Sequence, residues 1–287
     1  MNQTEFRTLS IDDIQPFAGN PFQTRDTVEQ ALLQESISSF GIYSPVLVHP
    51  IDNGCYELIS GHRRLEAAKA SGLTEIPAVV RQMSHDEAVI ALVDSNIHRE
   101  HVLPSERAKA YQMKLEALRH QGKNLDDIGG HVGHRPSGMK SRDVIAQTAP
   151  DSARQIQRYI RLNHLEKPLL DMVDAGRIAL TPAVQLSYLK PKEQAILADE
   201  ICAMDATPNL SQSMRLRKIS ETTGLTTIQT RLIMAEAKAN QREYLRLPMA
   251  DIRRFFPREF TDRQISEAII KALESTAQQR KRSLPSL

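Results

Sequence analysis

The sequence predicts an α+β domain at the N-terminus, then an all-α region containing a helix-turn-helix, and a helical C-terminal region. Short β-rich runs alternate with amphipathic helices over the first hundred residues, and strand patterns largely stop after them. The 287 residues suffice for two or three domains. We therefore predict three parts, at residues 1–100, 101–200 and 201–287.

The N-terminal part contains three predicted helices and three predicted strands. A helix over 28–40 ends at Gly41, and Ser84 with Glu87 forms a capping box that opens another helix. A third helix is predicted over 63–70. The β-rich runs PVLVH, CYELIS and IPAVVRQM are predicted as strands at 45–49, 55–60 and 76–83.

The remainder is predicted to be helical, with one long interruption. A helix over 105–119 precedes a glycine-rich stretch at 122–138, which we interpret as a loop or linker. Short helices follow from 142 to 200. The segment 262–280 has the apolar spacing of an amphipathic helix, which could pack within the chain or form a dimer contact.

Composition excludes several classes of protein. No run of 18 apolar residues is present, and the first residues lack the basic and apolar regions of a secretory signal, so we expect a cytoplasmic protein without membrane contact. Two distant cysteines, Cys55 and Cys202, cannot form a disulfide framework. Residues 1–100 carry 7 basic and 14 acidic side chains, whereas the later residues carry an excess of basic ones. A polyanion is therefore expected to meet the later two thirds.

The first candidate site is the string Ser60-Gly61-His62-Arg63-Arg64, between a predicted strand and a predicted helix. A glycine lets the backbone approach a ligand, and free N–H groups at a helix start favour an anion. Two arginines just inside that start offer donors suited to phosphate. The alternative is a turn glycine followed by surface arginines paired with carboxylates.

Two further polar segments are candidates. Residues 94–100 lie between two predicted helices, either as a ligand-facing junction or as an ordinary loop with capping residues. Residues 20–25 place Gln23 and Arg25 after a turn.

The fourth candidate is a helix-turn-helix over 142–162. A helix over 142–148 and a tight turn precede a second helix opened by Ser152, which we expect to form a capping box with Gln155. Ala146 and Ile156 have the spacing at which the two helices pack together. Arginine and glutamine read guanine and adenine edges, so the predicted DNA-binding residues are Ser152, Arg154, Gln155, Gln157, Arg158 and Arg161. The alternative is a packing motif with a polar face.

No catalytic motif is present. His131 and His134 are close in sequence but have no cysteine or carboxylate at zinc-ligand spacing, and the sequence lacks Gly-x-Ser-x-Gly, His-Glu-x-x-His and Walker strings. We assign no catalytic residue.

Taken in order, these motifs resemble the ParB-type partition proteins of plasmids and chromosomes (the ParB/RepB family). The resemblance covers roughly residues 8–190 and rests on NPFQTR, ISGHRRLEAAKASGLTEIPAVV, SNIHREHVLPSERAKAY and the helix-turn-helix. The C-terminal third is similar only loosely to the Gram-positive mobile-element branch.

The resemblance implies a ParB/sulfiredoxin-like N-terminal domain that binds CTP with Mg²⁺. The family's G-E-R-R and E-N-x-Q-R motifs map onto 61–64 and 95–99. The nucleotide-binding residues implied are Gln23, Arg25, Gly61, His62, Arg63, Arg64, Asn96 and Arg99, with Asn96 also near the metal. Two acidic positions of the family are His62 and Ser95 here. Because carboxylates are the usual Mg²⁺ ligands, we expect at most weak CTPase activity.

The function expected is a DNA-binding partition protein, a homodimer on double-stranded centromere-like DNA, which acts as a CTP-dependent clamp with a Walker-type ParA-like ATPase. It would be associated with the nucleoid or a plasmid. One alternative is a transcription regulator or nucleoid-occlusion factor with the same DNA module. A sulfiredoxin-like enzyme is the other, although Cys55 lies six residues before Gly61.

Overall fold

The structure is a computed structural model that describes residues 4–23, 28–51, 54–128, 141–236, 252–257 and 259–283. For residues 122–128, 263 and 276–283 it describes the backbone alone. The chain divides into two compact units, Met1–Glu236 and Ala237–Leu287. No helix among the described residues combines the length and the apolar character needed to cross a membrane.

A five-stranded mixed sheet forms the base of the first unit. Its strands are β1 (Thr4–Ser10), β2 (Ile14–Pro16), β3 (Val46–Pro50), β4 (Tyr56–Ser60) and β5 (Glu75–Arg81), and their spatial order is β1-β5-β3-β4-β2. β1 is antiparallel to β5, and β3 is parallel to β5 and antiparallel to β4. β2 runs parallel to β4 at the other edge. Strands β3, β4 and β5 confirm the sequence prediction, whereas β1 and β2 were not predicted.

Three helices accompany the sheet: α1 (Val28–Phe40), α2 (His62–Ala70) and α3 (His85–Asn96). The capping box predicted for α3 is confirmed, because the Ser84 hydroxyl accepts from the Glu87 N–H while the Glu87 carboxylate accepts from the Ser84 N–H. The sheet core consists of buried aliphatic side chains from the strands and α2, among them Val46, Val48 and Ile76. Burial of this apolar surface stabilises the position of the β4–α2 turn.

The rest of the first unit is helical. Its helices are α4 (Pro104–Ile128), α5 (Ser141–Thr148), α6 (Ala153–Arg161), α7 (Lys167–Asp174), α8 (Leu180–Leu186), α9 (Pro191–Met204), α10 (Leu210–Thr222) and α11 (Thr227–Met234). The prediction of a loop from 122 onward is wrong up to Ile128, because α4 continues through Gly122. A glycine costs a helix only about 1 kcal/mol relative to alanine, so a long helix can absorb it. Residues 129–138 of the predicted loop lie outside the described residues.

One hydrophobic cluster joins the N-terminal part to the helices that follow. It brings together Phe22, Val93 and Ile97 with Tyr111 of α4, Ile145 of α5 and Ile156 of α6. A separate and larger cluster is formed mainly by α7–α11, with Leu169, Leu186 and Leu216 fully buried. The second unit contains α12 (Asp262–Ser283), which includes the predicted amphipathic segment.

Candidate functional site

The turn between β4 and α2 requires glycine. Gly61 has φ of +102°, a backbone conformation that side chains with a Cβ rarely adopt. A Cβ at this position would lie 2.7 Å from Cγ1 of Val46 on β3. No side chain caps the start of α2, so its first N–H groups point towards the space beyond the turn. The local sequence therefore places an open helix start among the candidate residues 20–23, 61–64 and 95–99, a group called the pocket below.

His62 is buried and neutral. Its Nε2 lies 3.0 Å from Nδ2 of Asn20, and since an amide nitrogen only donates, Nε2 is the acceptor. Burial, with a smaller contribution from the nearby Arg99 charge, lowers the pKa of His62 to about 4. At neutral pH the imidazole therefore adds neither a positive charge nor the negative charge of the family's acidic residue.

The buried state of His62 makes stability depend on pH. Above the ordinary pKa of 6.5 both folded and unfolded chains hold His62 neutral, so its contribution is fully present there. As the pH falls towards 4, the unfolded chain binds the proton first and stability is lost. Between pH 7 and pH 4.5 we expect the wild type to lose about 2 kcal/mol more than His62→Gln. Urea unfolding at the two pH values measures this difference, and equal losses would contradict it.

Arg99 brings a second cation to the pocket. Burial lowers the pKa of its guanidinium, and the neighbouring positive charge of Arg63 lowers it further, while the carboxylate of Glu106 opposes the shift. Arg63 and Arg99 therefore lie close enough to repel each other across the α2 start. A bound anion would relieve this repulsion.

Arg63 and Arg64 have different surroundings. Arg63 Nε donates to Oε1 of Gln30 (3.0 Å) and its Nη1 to Oε2 of Glu29 (3.1 Å), so α1 orients this guanidinium. Arg64 Nη1 donates to the carbonyl oxygens of Ser44 (2.5 Å) and Pro45 (2.6 Å). Burial lowers the pKa of Arg64. Arg64 thus stabilises the loop before β3. Arg63 is better placed than Arg64 to bind a ligand.

The segment 20–23 closes one side of the site. Asn20 Oδ1 accepts from the N–H of Phe22 at 3.0 Å, and the N–H of Gln23 donates to Oε1 of Glu106 at 3.2 Å. The Gln23 side chain itself is exposed. Arg25 lies outside the described residues, so its predicted role stays a prediction.

Asn96 carries an unused oxygen. The side chain is 1% exposed, and its Nδ2 donates to the carbonyl of Leu92 at 2.7 Å. Among the buried side-chain nitrogen and oxygen atoms of the described residues, its Oδ1 is the one without a hydrogen-bond partner. Such an atom can accept a hydrogen bond from a ligand or coordinate a cation.

The side chains around Asn96 do not by themselves supply enough metal ligands for a complete Mg²⁺ site. Ser95, at one of the family's acidic positions, donates its hydroxyl to the Leu92 carbonyl at 3.0 Å. Within the described ranges, no group of three His, Cys, Asp or Glu side chains could hold a metal ion. Mg²⁺ usually needs one or two carboxylates besides phosphates and water. Asn96 Oδ1 thus offers a single neutral ligand.

The predicted helix-turn-helix corresponds to α5 and α6. Ser152 is the N-cap of α6 and accepts from the Gln155 N–H at 3.3 Å, but the expected capping box is only half formed, because Gln155 Oε1 accepts from Arg158 Nη1 at 3.4 Å instead. Ile145 and Ile156 are fully buried between the helices, and Ala146 packs against the same cluster, as its spacing with Ile156 predicts.

The outward face of α6 carries most of the predicted DNA-binding side chains. Positions 154, 157, 158 and 161 follow helical spacing and face away from Ile156. Arg154 and Gln157 are exposed, whereas Gln155 is half-buried. Arg158 donates to Oγ1 of Thr181 at 2.8 Å, so α8 supports this guanidinium.

Two networks of hydrogen bonds and ion pairs connect these helices to the preceding part of the chain. The sequence did not predict them. His98 Nε2 donates to the Thr148 carbonyl at 2.9 Å, and buried Lys114 bonds both Thr148 Oγ1 and the Asp94 carboxylate. Segment 95–99 of the pocket therefore touches the end of α5 directly.

The second network lies under the turn between α5 and α6. Asp151 Oδ2 accepts from Arg107 Nη1 (2.7 Å) and from the Tyr111 hydroxyl (2.6 Å). Burial and the Asp151 carboxylate raise the pKa of Tyr111, so the phenol stays protonated and donates. No local sequence signal marks these partners, which are 40 and 44 residues apart.

The sequence of this chain is similar to those of known proteins. Residues 1–97 match the family model described as the ParB N-terminal domain. The chromosome-partitioning protein Spo0J of Thermus thermophilus is 30% identical over 212 residues, which are 73% of this chain and 70% of that protein. The chain belongs to the ParB family. The mixed sheet and helices α1–α3 lie within the residues that this family model matches.

Two solved structures of a C-terminally truncated ParB from Caulobacter crescentus are also similar. One is complexed to the centromeric parS site (20% identity, 74% of this chain, 98% of that chain, TM-score 0.44). The other is complexed with CTP-gamma-S (22% identity, 69% of this chain, 99% of that chain, TM-score 0.31). The chain spans 55% to 78% of the length of several curated ParB relatives. These are named chromosome-partitioning proteins, so the Gram-positive mobile-element branch stays a prediction.

Proposed function

We propose that this ParB-family chain binds a specific double-stranded DNA site through α5 and α6 and holds CTP at the pocket around Gly61. The observation that carries the proposal is the outward face of α6, which begins at the Ser152 cap and exposes Arg154 and Gln157, with Arg158 in its last turn. Arginine and glutamine at such a face match guanine and adenine edges. A homodimer would then read a centromere-like site with twofold symmetry.

The pocket supports the nucleotide part of the proposal. Arg63 and Arg99 repel each other beside an open helix start, and both guanidiniums are hydrogen-bond donors without an acceptor atom. Triphosphate oxygens would bind the α2 N–H groups and these guanidiniums. Mg²⁺ arriving with the nucleotide would neutralise phosphate charge, and Asn96 Oδ1 would be its protein ligand. Without carboxylates at His62 and Ser95, hydrolysis would be weak.

Contact between the pocket segment and α5 supports coupling of nucleotide to DNA. His98 is adjacent to Arg99 and bonds the last residue of α5, Thr148. A ligand that repositions Arg99 would therefore shift the helix pair that meets DNA. This favours a CTP-dependent clamp, with a ParA-like ATPase as partner in partition and association with a nucleoid or plasmid.

The two alternative functions require different features of the gene neighbourhood or of the site. A transcription regulator or nucleoid-occlusion factor would share the DNA module, and an adjacent ATPase gene would favour partition over it. A sulfiredoxin-like enzyme needs a thiol at the phosphate site. Cys55 and Gly61 lie at opposite ends of β4, about 20 Å apart at the rise of an extended strand. This separation disfavours the enzyme.

The deciding experiment combines selection of DNA with nucleotide cross-linking. The full chain selects duplexes from a random pool, and radiolabelled CTP is then cross-linked with and without the selected duplex. Labelling enhanced by the selected duplex supports the clamp. Selection of DNA without CTP labelling would reject the nucleotide part, and failure to select any duplex would reject DNA binding.

Arg63→Ala is expected to weaken CTP binding by about 10- to 100-fold, because it removes a charged donor from the phosphates. Affinity for the selected duplex in the absence of nucleotide should stay unchanged, since Arg63 bonds α1 rather than α6. Equilibrium binding of labelled CTP measures the effect. Arg81→Ala, at the exposed end of β5, is the matched control. Unchanged CTP affinity of Arg63→Ala would reject the phosphate site.

The α12 helix is proposed to form a dimer contact. Ile265 is buried, whereas Ile270 and Leu273 on the same helix are 57% and 64% exposed. Deletion of 262–287 is expected to lower the mass of the particle in solution from dimer to monomer, measured by light scattering. Leu273→Glu should act in the same direction, with Lys271→Glu as control. An unchanged mass would place the contact elsewhere.

A further inference from the structure

A tyrosine that makes cation–π contacts with two arginines lies beside the predicted DNA-binding helix. Tyr188 sits between α8 and α9, with Cζ of Arg161 4.0 Å and Cζ of Arg217 3.7 Å from its ring centroid. Both guanidiniums therefore lie over the Tyr188 ring within the range of a cation–π contact. Tyr188 is 41% exposed, so the stack reaches the protein surface.

The stack continues the outward face of α6. Arg161 follows Arg154, Gln157 and Arg158 at helical spacings of seven, four and three residues, which places all four on one side of the helix. Arg217 belongs to α10 and extends the same basic surface beyond α6. Sequence reasoning included Arg161 but had no signal for Tyr188 or Arg217.

Hydrogen bonds hold both guanidiniums in fixed positions. Arg161 Nε and Nη2 donate to the hydroxyl (3.1 Å) and carbonyl (2.8 Å) of Ser187. Arg217 Nε donates to the Glu221 carboxylate at 2.7 Å, and its Nη1 to Gln185 Oε1 at 3.1 Å. Among residues 141–236, Nη1 of Arg161 and Nη2 of Arg217 have no hydrogen-bond partner.

We propose that the Arg161–Tyr188–Arg217 stack is a contact for a DNA backbone phosphate at the flank of the groove entered by α6. This rests on the proposed DNA binding by α5 and α6. Among the carboxylates of the described residues, only that of Glu221 pairs with these two guanidiniums, so the stack retains a positive charge. Stacking and hydrogen bonds fix the side chains before binding, which reduces the entropy lost on contact with phosphate.

A phosphate contact predicts a particular change in binding. Arg217→Gln should lower affinity about three- to tenfold for the selected duplex and for a scrambled duplex alike, and should reduce the slope of log affinity against log salt by about one. Arg217→Lys keeps the charge and should keep the slope. Arg158→Ala, in contrast, should lower affinity mainly for the selected duplex, because Arg158 is placed to read bases.

The test measures fluorescence anisotropy of both duplexes with the full chain over a range of NaCl concentrations. Arg215→Gln is the matched control, since Arg215 is also on α10 but pairs with Glu236, two residues after α11. An unchanged salt slope for Arg217→Gln, or a loss confined to the selected duplex, would overturn the phosphate contact. If the wild type binds neither duplex, the proposed DNA binding fails first, and the two failures are distinguished.

Discussion

Replacing Asp151 with alanine is expected to lower the free energy of unfolding by about 3–5 kcal/mol, because it leaves a largely buried charge without its partner. The Arg107 and Asp151 side chains are 18% and 15% exposed, and the same carboxylate oxygen also accepts from the Tyr111 hydroxyl. The carboxylate lies directly before the Ser152 cap, so its loss should also misplace α6 and abolish selective DNA binding. Urea unfolding and anisotropy measure the two effects.

The control for this prediction is Asp143→Ala. Asp143 lies on α5, and its side chain is 43% exposed and 3.8 Å from Arg142, a pair expected to contribute less than about 1 kcal/mol. Asp151→Asn removes the charge but keeps an oxygen for Tyr111, so its stability should fall between wild type and Asp151→Ala. A stability of Asp151→Ala within about 1 kcal/mol of wild type would contradict the importance of this network.

Gly61→Ala is expected to cost about 2–5 kcal/mol and to abolish CTP binding. The left-handed backbone adds about 1–2 kcal/mol for any residue with a Cβ, and overpacking against Val46 adds about 1–3 kcal/mol. Relief of either strain would move the α2 start and Arg63 away from their positions. Thermal or urea unfolding and CTP binding are the measurements.

Gly72 provides a matched control for that substitution. It also has a left-handed φ of +74°, but a Cβ there would meet no atom within 4 Å. Gly72→Ala should therefore show only the backbone cost, about 1 kcal/mol, with CTP binding unchanged. Adding Val46→Ala to Gly61→Ala should recover part of the lost stability if the close contact contributes. Equal costs at the two glycines would show that the contact with Val46 is unimportant.

Local patterns predicted most of the elements. The pair Ser84 and Glu87 identified the start of α3, and the β-rich runs identified β3, β4 and β5, because capping and strand preference act over a few residues. Strand β1 was missed because five of its seven residues are exposed, which removes the alternation of buried and exposed positions. Its place at the sheet edge depends on pairing with β5, about 70 residues away.

The candidate site was predicted less completely than the fold. The glycine and arginines after β4 were visible as a local string, but the inward role of Arg64 depends on carbonyl oxygens of Ser44 and Pro45 on another segment. The neutral state of His62 likewise depends on burial and on the charge of Arg99, 37 residues later. Tertiary partners of this kind leave no periodic signal in a single sequence.

The hydrophobic cluster that includes Phe22, Ile97, Tyr111 and Ile156 limits how this chain can be recombined with its relatives. Its members come from both sides of residue 100, so a chimaera joined there would set foreign side chains against Ile97. Close packing tolerates such mismatches poorly. The N-terminal part and the α5–α6 pair therefore cannot be exchanged independently between relatives. A substitution in this cluster before residue 100 has to be matched by one after it.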